Sequence, residues 1–213
     1  MSTDNLIERL AGDLKPVRPR APVLEAGLLA LVCAIELVGF LAIGMARPDL
    51  AEAVRQPVLW WKFGALGLLA LLGFATALRS FSPQGSARAG LTAILALAVV
   101  SLILGWAFDT TNRQTADLLT RLDPPDGLNC LAWVLGLSLP PLMLLGMLMR
   151  RAAATDPQRS AAAVGLGSAA WAALVFVFAC PHDDPLYVVF WYALACSAIG
   201  LATYLILPRL TRW

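Results

Sequence analysis

AALVFVFACPHDDPLYVVFWYALA, residues 172–195, sets two apolar runs on either side of a short polar break. Within the five positions of the break stand Cys180, the single histidine His182, and the acids Asp183 and Asp184. Pro181 and Pro185 fence it. One reading makes this the shortest turn by which an apolar chain reverses direction. The other makes it a ligand or sensor site. Both require the flanking runs to be helices, and a helix that crosses a bilayer needs about 20 mostly apolar residues.

Outward from that turn, six segments have the length and apolarity of spans. They are Val23–Met45, Val58–Leu78, Ala89–Phe108, Cys130–Met149, Ala161–Ala179 and Leu186–Pro208. The composition agrees: 59% of residues are hydrophobic, 14% are charged, and the mean hydropathy is +0.73. Soluble domains carry about 25% charged residues. The expected fold is all-α, a polytopic six-helix transmembrane bundle over residues 23–213. Residues 1–22 form a separate N-terminal arm. A formal net charge of +2 gives no broad basic surface for nucleic acid. The first apolar run is too long for a signal-peptide core and reads as a retained span. The four cysteines form no C-x-x-C pair, so thioredoxin-type and zinc-ribbon readings lack their motif.

Basic residues orient the spans. If the spans alternate, Arg9, Lys15, Arg18, Arg20, Arg79, Arg88, Arg150, Arg151, Arg159, Arg209 and Arg212 fall on one side, expected to be cytoplasmic with both termini. The other side holds Arg47, Arg55, Arg113 and Arg121, with Lys62 near the membrane edge, and most of the loop acids, including Asp49, Asp123, Asp126, Asp183 and Asp184. Trp60, Trp61, Trp106, Trp133, Tyr187 and Trp191 gather there as an interfacial belt would. The Pro181–Pro185 turn is therefore expected outside, in the oxidising compartment of a bacterial host.

Cys130 and Cys180 then lie at similar depth at the outer ends of neighbouring spans. They suit a disulfide or a soft metal, with His182 as an accessory ligand. Equally, they suit two buried small apolar side chains. Cys33 and Cys196 lie mid-span without polar company and read as packing. Asp183 and Asp184 read first as turn residues. Glu36 is the one acid deep in a span, where an unpaired charge costs several kcal/mol. Lys62, near the start of the next span, is its expected partner. Pro140 and Pro141 predict a kink in the fourth span. The arm has an apolar stripe of Leu6, Ile7, Leu10 and Leu14 at helical spacing, with Asn5 and Glu8 placed as a capping box. A helix this short is marginal in water and needs an apolar partner, either the membrane surface or a docked cytoplasmic protein.

The start TDNLIERLAGDLKPVRP, the six spans, the outer cysteine ahead of span four and the ending CPHDDPLYVVFWYALACSAIG resemble the NrsF family of bacterial integral-membrane anti-sigma factors. The resemblance covers essentially the whole chain. It implies a regulator and not an enzyme, at the bacterial inner membrane, holding an extracytoplasmic-function sigma factor inactive. It also implies release of that factor under heavy-metal or oxidative stress, with Cys130 and Cys180 in the place of the family's two outer cysteines. The expected partners are the sigma factor, membrane lipid and, transiently, a heavy-metal ion. No nucleic acid and no cofactor are expected. Two other classes compete. A transporter of a metal ion or small solute would want polar groups converging mid-membrane, where only Glu36 stands. A thiol oxidoreductase would want a close cysteine pair in sequence.

Overall fold

A computed structural model describes residues 21–111, 118–152 and 154–211. The arm's stripe of Leu6, Ile7, Leu10 and Leu14 lies outside the described residues. Among the described residues eight helices follow in order: α1 (Pro22–Ala42), α2 (Leu50–Ala53), α3 (Pro57–Ser80), α4 (Arg88–Thr111), α5 (Leu118–Leu122), α6 (Pro124–Arg150), α7 (Pro157–Phe176) and α8 (Pro185–Leu210). Among the described residues there is no strand. The long helices α1, α3, α4, α6, α7 and α8 are each long and apolar enough to cross a membrane. The expected six-span all-α bundle is the fold.

Five of these six begin at a proline: Pro22, Pro57, Pro124, Pro157 and Pro185. The first turn of a helix has no internal partner for its N–H groups, so a residue without one fits there, and its fixed φ is already helical. Asp156 and Asp184 cap α7 and α8 by accepting from the backbone N–H of Arg159 (3.1 Å) and Leu186 (2.9 Å). Pro185, one of the two prolines that fence the polar break, therefore also starts the next span. Span four begins six residues earlier than its apolar run. Asp126 and Asn129 interrupt the hydropathy but not the helix. That helix stays unbroken through Pro140 and Pro141, where the missing N–H groups free the carbonyls of Gly136 and Leu137.

The innermost helix is α7, packed against α3, α6 and α8; α4 covers α3 and α8, and α1 lies mainly on α6. The sequence of α7 explains its place. It is the span richest in Ala, Gly and Ser, and small side chains let backbones approach where lipid gives no hydrophobic drive to associate. Gly73 on α3 and Gly167 on α7 touch: a Cβ on Gly73 would run into the Gly167 backbone. Gly165 likewise leaves room for Thr203 of α8. At Gly64 and Gly67 of α3 an added Cβ would meet nothing within 4 Å, so these two have no such role. Overpacking costs about 1–3 kcal/mol. Gly167→Val is accordingly expected to lower the thermal midpoint in detergent, while Gly64→Ala leaves it within error.

Leu31, Ile35 and Val38 of α1, Leu71 of α3, Ile103 of α4 and Leu205 of α8 point outward from the bundle. A surface this apolar suits lipid and not water. The aromatic belt is partly corrected. Trp60, Trp106 and Trp133 are exposed, but Tyr187 and Trp191 turn into the core. Trp191 donates to the Leu122 carbonyl at 2.8 Å, and its indole fills the space that a side chain on Gly127 would take.

Candidate functional site

The polar break lies at one end of the bundle and is held by cations from three other segments. After Phe176 the chain runs through Cys180–Asp184 and re-enters α8. A turn this short cannot pair its own carbonyls, so they need outside donors. Arg47, in the loop after α1, joins first through its backbone N–H, which donates to the Phe178 carbonyl at 2.8 Å. Its guanidinium donates to the Cys180 carbonyl (3.1 Å), to Asp183 (3.1 and 2.8 Å) and to Asp49 (2.7 and 2.6 Å). Lys62 of α3 donates to the His182 carbonyl at 2.6 Å and to Asp183 Oδ1 at 2.8 Å. Arg121 of α5 grips Asp184 with Nε at 2.9 Å and Nη2 at 2.7 Å.

This cluster balances its charge, with Arg47 and Lys62 against Asp49 and Asp183. The Lys62 side chain has no exposed surface, so its charge depends on that balance. Burial works against ionisation of Asp183, but the hydrogen bonds from Arg47 and Lys62 outweigh it and hold the carboxyl below its usual range. Asp184 behaves alike, with Arg121 overcoming the effect of burial. The Arg47 bond lowers Asp49 to about 2, and bonding to Asp49 and Asp183 raises Arg47 above its ordinary value.

The expected Glu36–Lys62 pair is therefore corrected. Lys62 reaches the turn and is fully used there. Glu36 accepts instead from the Trp171 indole at 2.9 Å, while its Oε1 is buried without a hydrogen bond. The physical reason is direction. Lys62 lies one turn inside α3 with the acidic turn beside it, and a carboxylate oxygen together with a backbone carbonyl is not available at Glu36.

Cys130, on α6, and Cys180 are each 1% exposed and share one buried cluster with Tyr187, Trp191 and Tyr192. Both are free thiols. The Cys180 Sγ lies 3.9 Å from the His182 carbonyl. The structure thus brings both cysteines into the core beneath the turn, so that neither a soluble metal nor a soluble oxidant meets them directly. Cys33 is buried as expected, and Cys196 is half-buried.

The His182 ring goes elsewhere. It stacks on Tyr187 at 4.3 Å between centroids, with planes 13° apart. Its Nε2 faces Asp123 Oδ2 and Asp126 Oδ2, each at 3.7 Å. Asp123 precedes Pro124 in left-handed backbone, φ 39°, a conformation that Asp tolerates. Asp126 stands in the first turn of α6, four residues before Cys130. Sequence reading left Asp123 and Asp126 as loop charges, and Arg47 and Arg121 likewise. A signal was present: basic residues on the acidic side need a reason, and the turn is that reason.

The family described as negative regulator of sigma F (NrsF) matches residues 10–213. The anti-sigma-F factor NrsF of Caulobacter vibrioides (strain NA1000 / CB15N) is 32% identical over 205 residues, covering 94% of each chain. The protein named probable anti-sigma-F factor NrsF of Azospira oryzae (strain ATCC BAA-33 / DSM 13638 / PS) is 27% identical over 214 residues, covering all of both. No solved structure matches. A match through all six spans and the clamped turn places this chain in the NrsF family.

Proposed function

We propose that this chain is a membrane-bound anti-sigma factor that holds an extracytoplasmic-function sigma factor at the bacterial inner membrane. The observation that carries the reading is similarity along almost the whole length to a protein named as an anti-sigma-F factor. The architecture supports it. Six spans with short connections leave little chain outside the membrane, and the N-terminal arm carries in its sequence an apolar stripe too short to be stable alone in water. Leu6, Ile7, Leu10 and Leu14 are the proposed sigma-factor contacts, with both termini cytoplasmic.

The signal enters at the opposite end, at Cys130 and Cys180. Oxidation would remove two electrons and two protons from the thiols, passing them to the oxidant, and leave a disulfide between α6 and the turn. A thiophilic metal bound by both sulfurs would tie the same elements. Because the thiols are covered, either event must follow or trap an opening of the turn. A ligand shifts such an equilibrium only by its differential affinity for the two states. About 1.4 kcal/mol is sufficient for a tenfold change in release. The transport reading finds less support, since the ionisable groups described lie mostly at the two ends of the bundle and Glu36, the acid within a span, is held by Trp171.

Membranes carrying the full chain are expected to retain the sigma factor in a co-sedimentation assay. Deleting residues 2–14, or placing Asp at Leu10 and Leu14, should abolish retention while the six-span domain accumulates normally. Wild-type retention by these variants would move the contact to another cytoplasmic segment, and no retention by the full chain would reject the function.

A further inference from the structure

The His182 imidazole, the Asp123 carboxylate and the Asp126 carboxylate offer three ligand atoms that all lie within 4.8 Å of one another. Among the described residues this is the one group of three or more such side chains. Its two Nε2-to-oxygen separations, 3.7 Å each, are beyond hydrogen-bond range. They are close to the spacing of ligands around a small cation. Bonds of about 2.0–2.1 Å in a tetrahedral site set ligand atoms roughly 3.4 Å apart. The two imidazole-to-carboxylate separations are within a few tenths of an ångström of that spacing, and the two carboxylate oxygens lie within 4.8 Å of each other.

The imidazole is also held for the task. Stacking on Tyr187 fixes the ring plane. Lys62 fixes the His182 carbonyl, so the residue cannot swing away without losing a 2.6 Å bond. Asp126 projects from the first turn of α6, and Asp123 sits just ahead of it. Two carboxylates and a neutral imidazole match a divalent cation in charge. The donor set also selects among cations. Calcium takes six to eight oxygens and has no use for the imidazole. Soft ions prefer thiolate, which here is buried beneath the turn. One nitrogen and two oxygens with an open fourth position suit a borderline ion of the zinc class.

We propose that Asp123, Asp126 and His182 form a binding site for a zinc-class divalent cation, distinct from the thiols, which pins the start of α6 to the cysteine turn. The site gives the turn a second ligand, and rests on the reading above only for what an outer signal means. A bound ion would hold closed the same two elements that a Cys130–Cys180 link joins, so it would keep the thiols covered and oppose their reaction.

The test uses the full chain in detergent, titrated with cobalt(II) alone and then with zinc(II). One equivalent of cobalt should bind with weak visible bands and without the intense near-ultraviolet charge transfer that thiolate ligation produces, and zinc should displace it. Zinc should raise the thermal midpoint. His182→Ala, Asp123→Asn and Asp126→Asn should each weaken binding by about tenfold or more. The Cys130→Ser, Cys180→Ser double variant should bind as the wild type does. Asp126 is the most informative position: its side chain is 58% exposed, so its amide variant should fold normally and yet lose the zinc effect. No stoichiometric binding, a thiolate charge-transfer band, or unchanged affinity in Asp126→Asn would each overturn the site. None of these readouts involves the sigma factor, so failure here leaves retention of that factor untouched, and failure of retention leaves the cation site standing.

Discussion

Asp183→Asn is expected to destabilise the membrane domain by about 3–5 kcal/mol, the usual effect of removing one partner from a buried ion pair. The carboxylate is shared by Arg47 and Lys62, and it is the one acid that both cations reach. Asparagine keeps the shape and an acceptor oxygen but leaves the buried ammonium of Lys62 without its counter-charge. Asp49 still serves Arg47, so the loss falls mainly on Lys62. Pairing Asp183→Leu with Lys62→Met should regain much of the stability, because the uncompensated charge is removed with its partner. The readouts are the amount of protein in membranes and the thermal midpoint in detergent. A single variant within about 0.5 kcal/mol of wild type would mean the cluster is an ordinary surface network.

The same cluster predicts a direction with pH. Asp183 and Asp184 have folded values below their ordinary ones, so they bind fewer protons in the folded state. Their contribution is complete above the ordinary carboxylate range and is lost as pH falls through the depressed folded values.

What the sequence made legible was whatever repeats at the scale of a span. Apolar length placed all six spanning helices, and charge asymmetry separated an acidic turn end from a basic end. The start of α6 was missed because hydropathy responds to Asp126 and Asn129 while the backbone continues helical through both. The inward turn of Tyr187 and Trp191 was hidden for a related reason. Belt and core positions of α8 share one composition, and which face of the helix meets the bundle is decided by α6 and α7. Lys62 shows the limit most clearly. A buried acid and a nearby base are equally attractive on paper, but Lys62 turned to the residue that offered a carboxylate and a carbonyl together. Glu36 found an indole that no local pattern advertises. The Asp123–Asp126–His182 group joins positions more than fifty residues apart through the packing of α6 beside the turn, which spacing along the chain cannot display.

Cys130 and Cys180 carry the second large effect. If they are the input, the double serine variant should repress normally and lose induction altogether. Serine preserves size, and neither thiol has a role in the cation cluster. Each single variant should respond to a disulfide-forming oxidant no better than the double, since a link needs both sulfurs. Burial sharpens this expectation. With each residue 1% exposed, an impermeant thiol reagent should label the resting protein slowly. Asp183→Asn, which loosens the cover, should label faster and shift the protein towards release.

The most direct measurement is transcription from a sigma-dependent promoter in cells carrying wild type or Cys130→Ser, Cys180→Ser, with and without cadmium or a thiol oxidant. The account predicts strong induction for wild type, and for the double variant low basal transcription that neither agent raises. Undiminished induction in the double variant, at normal protein levels, would contradict it and leave the CPHDDP segment a clamped turn without a sensory role.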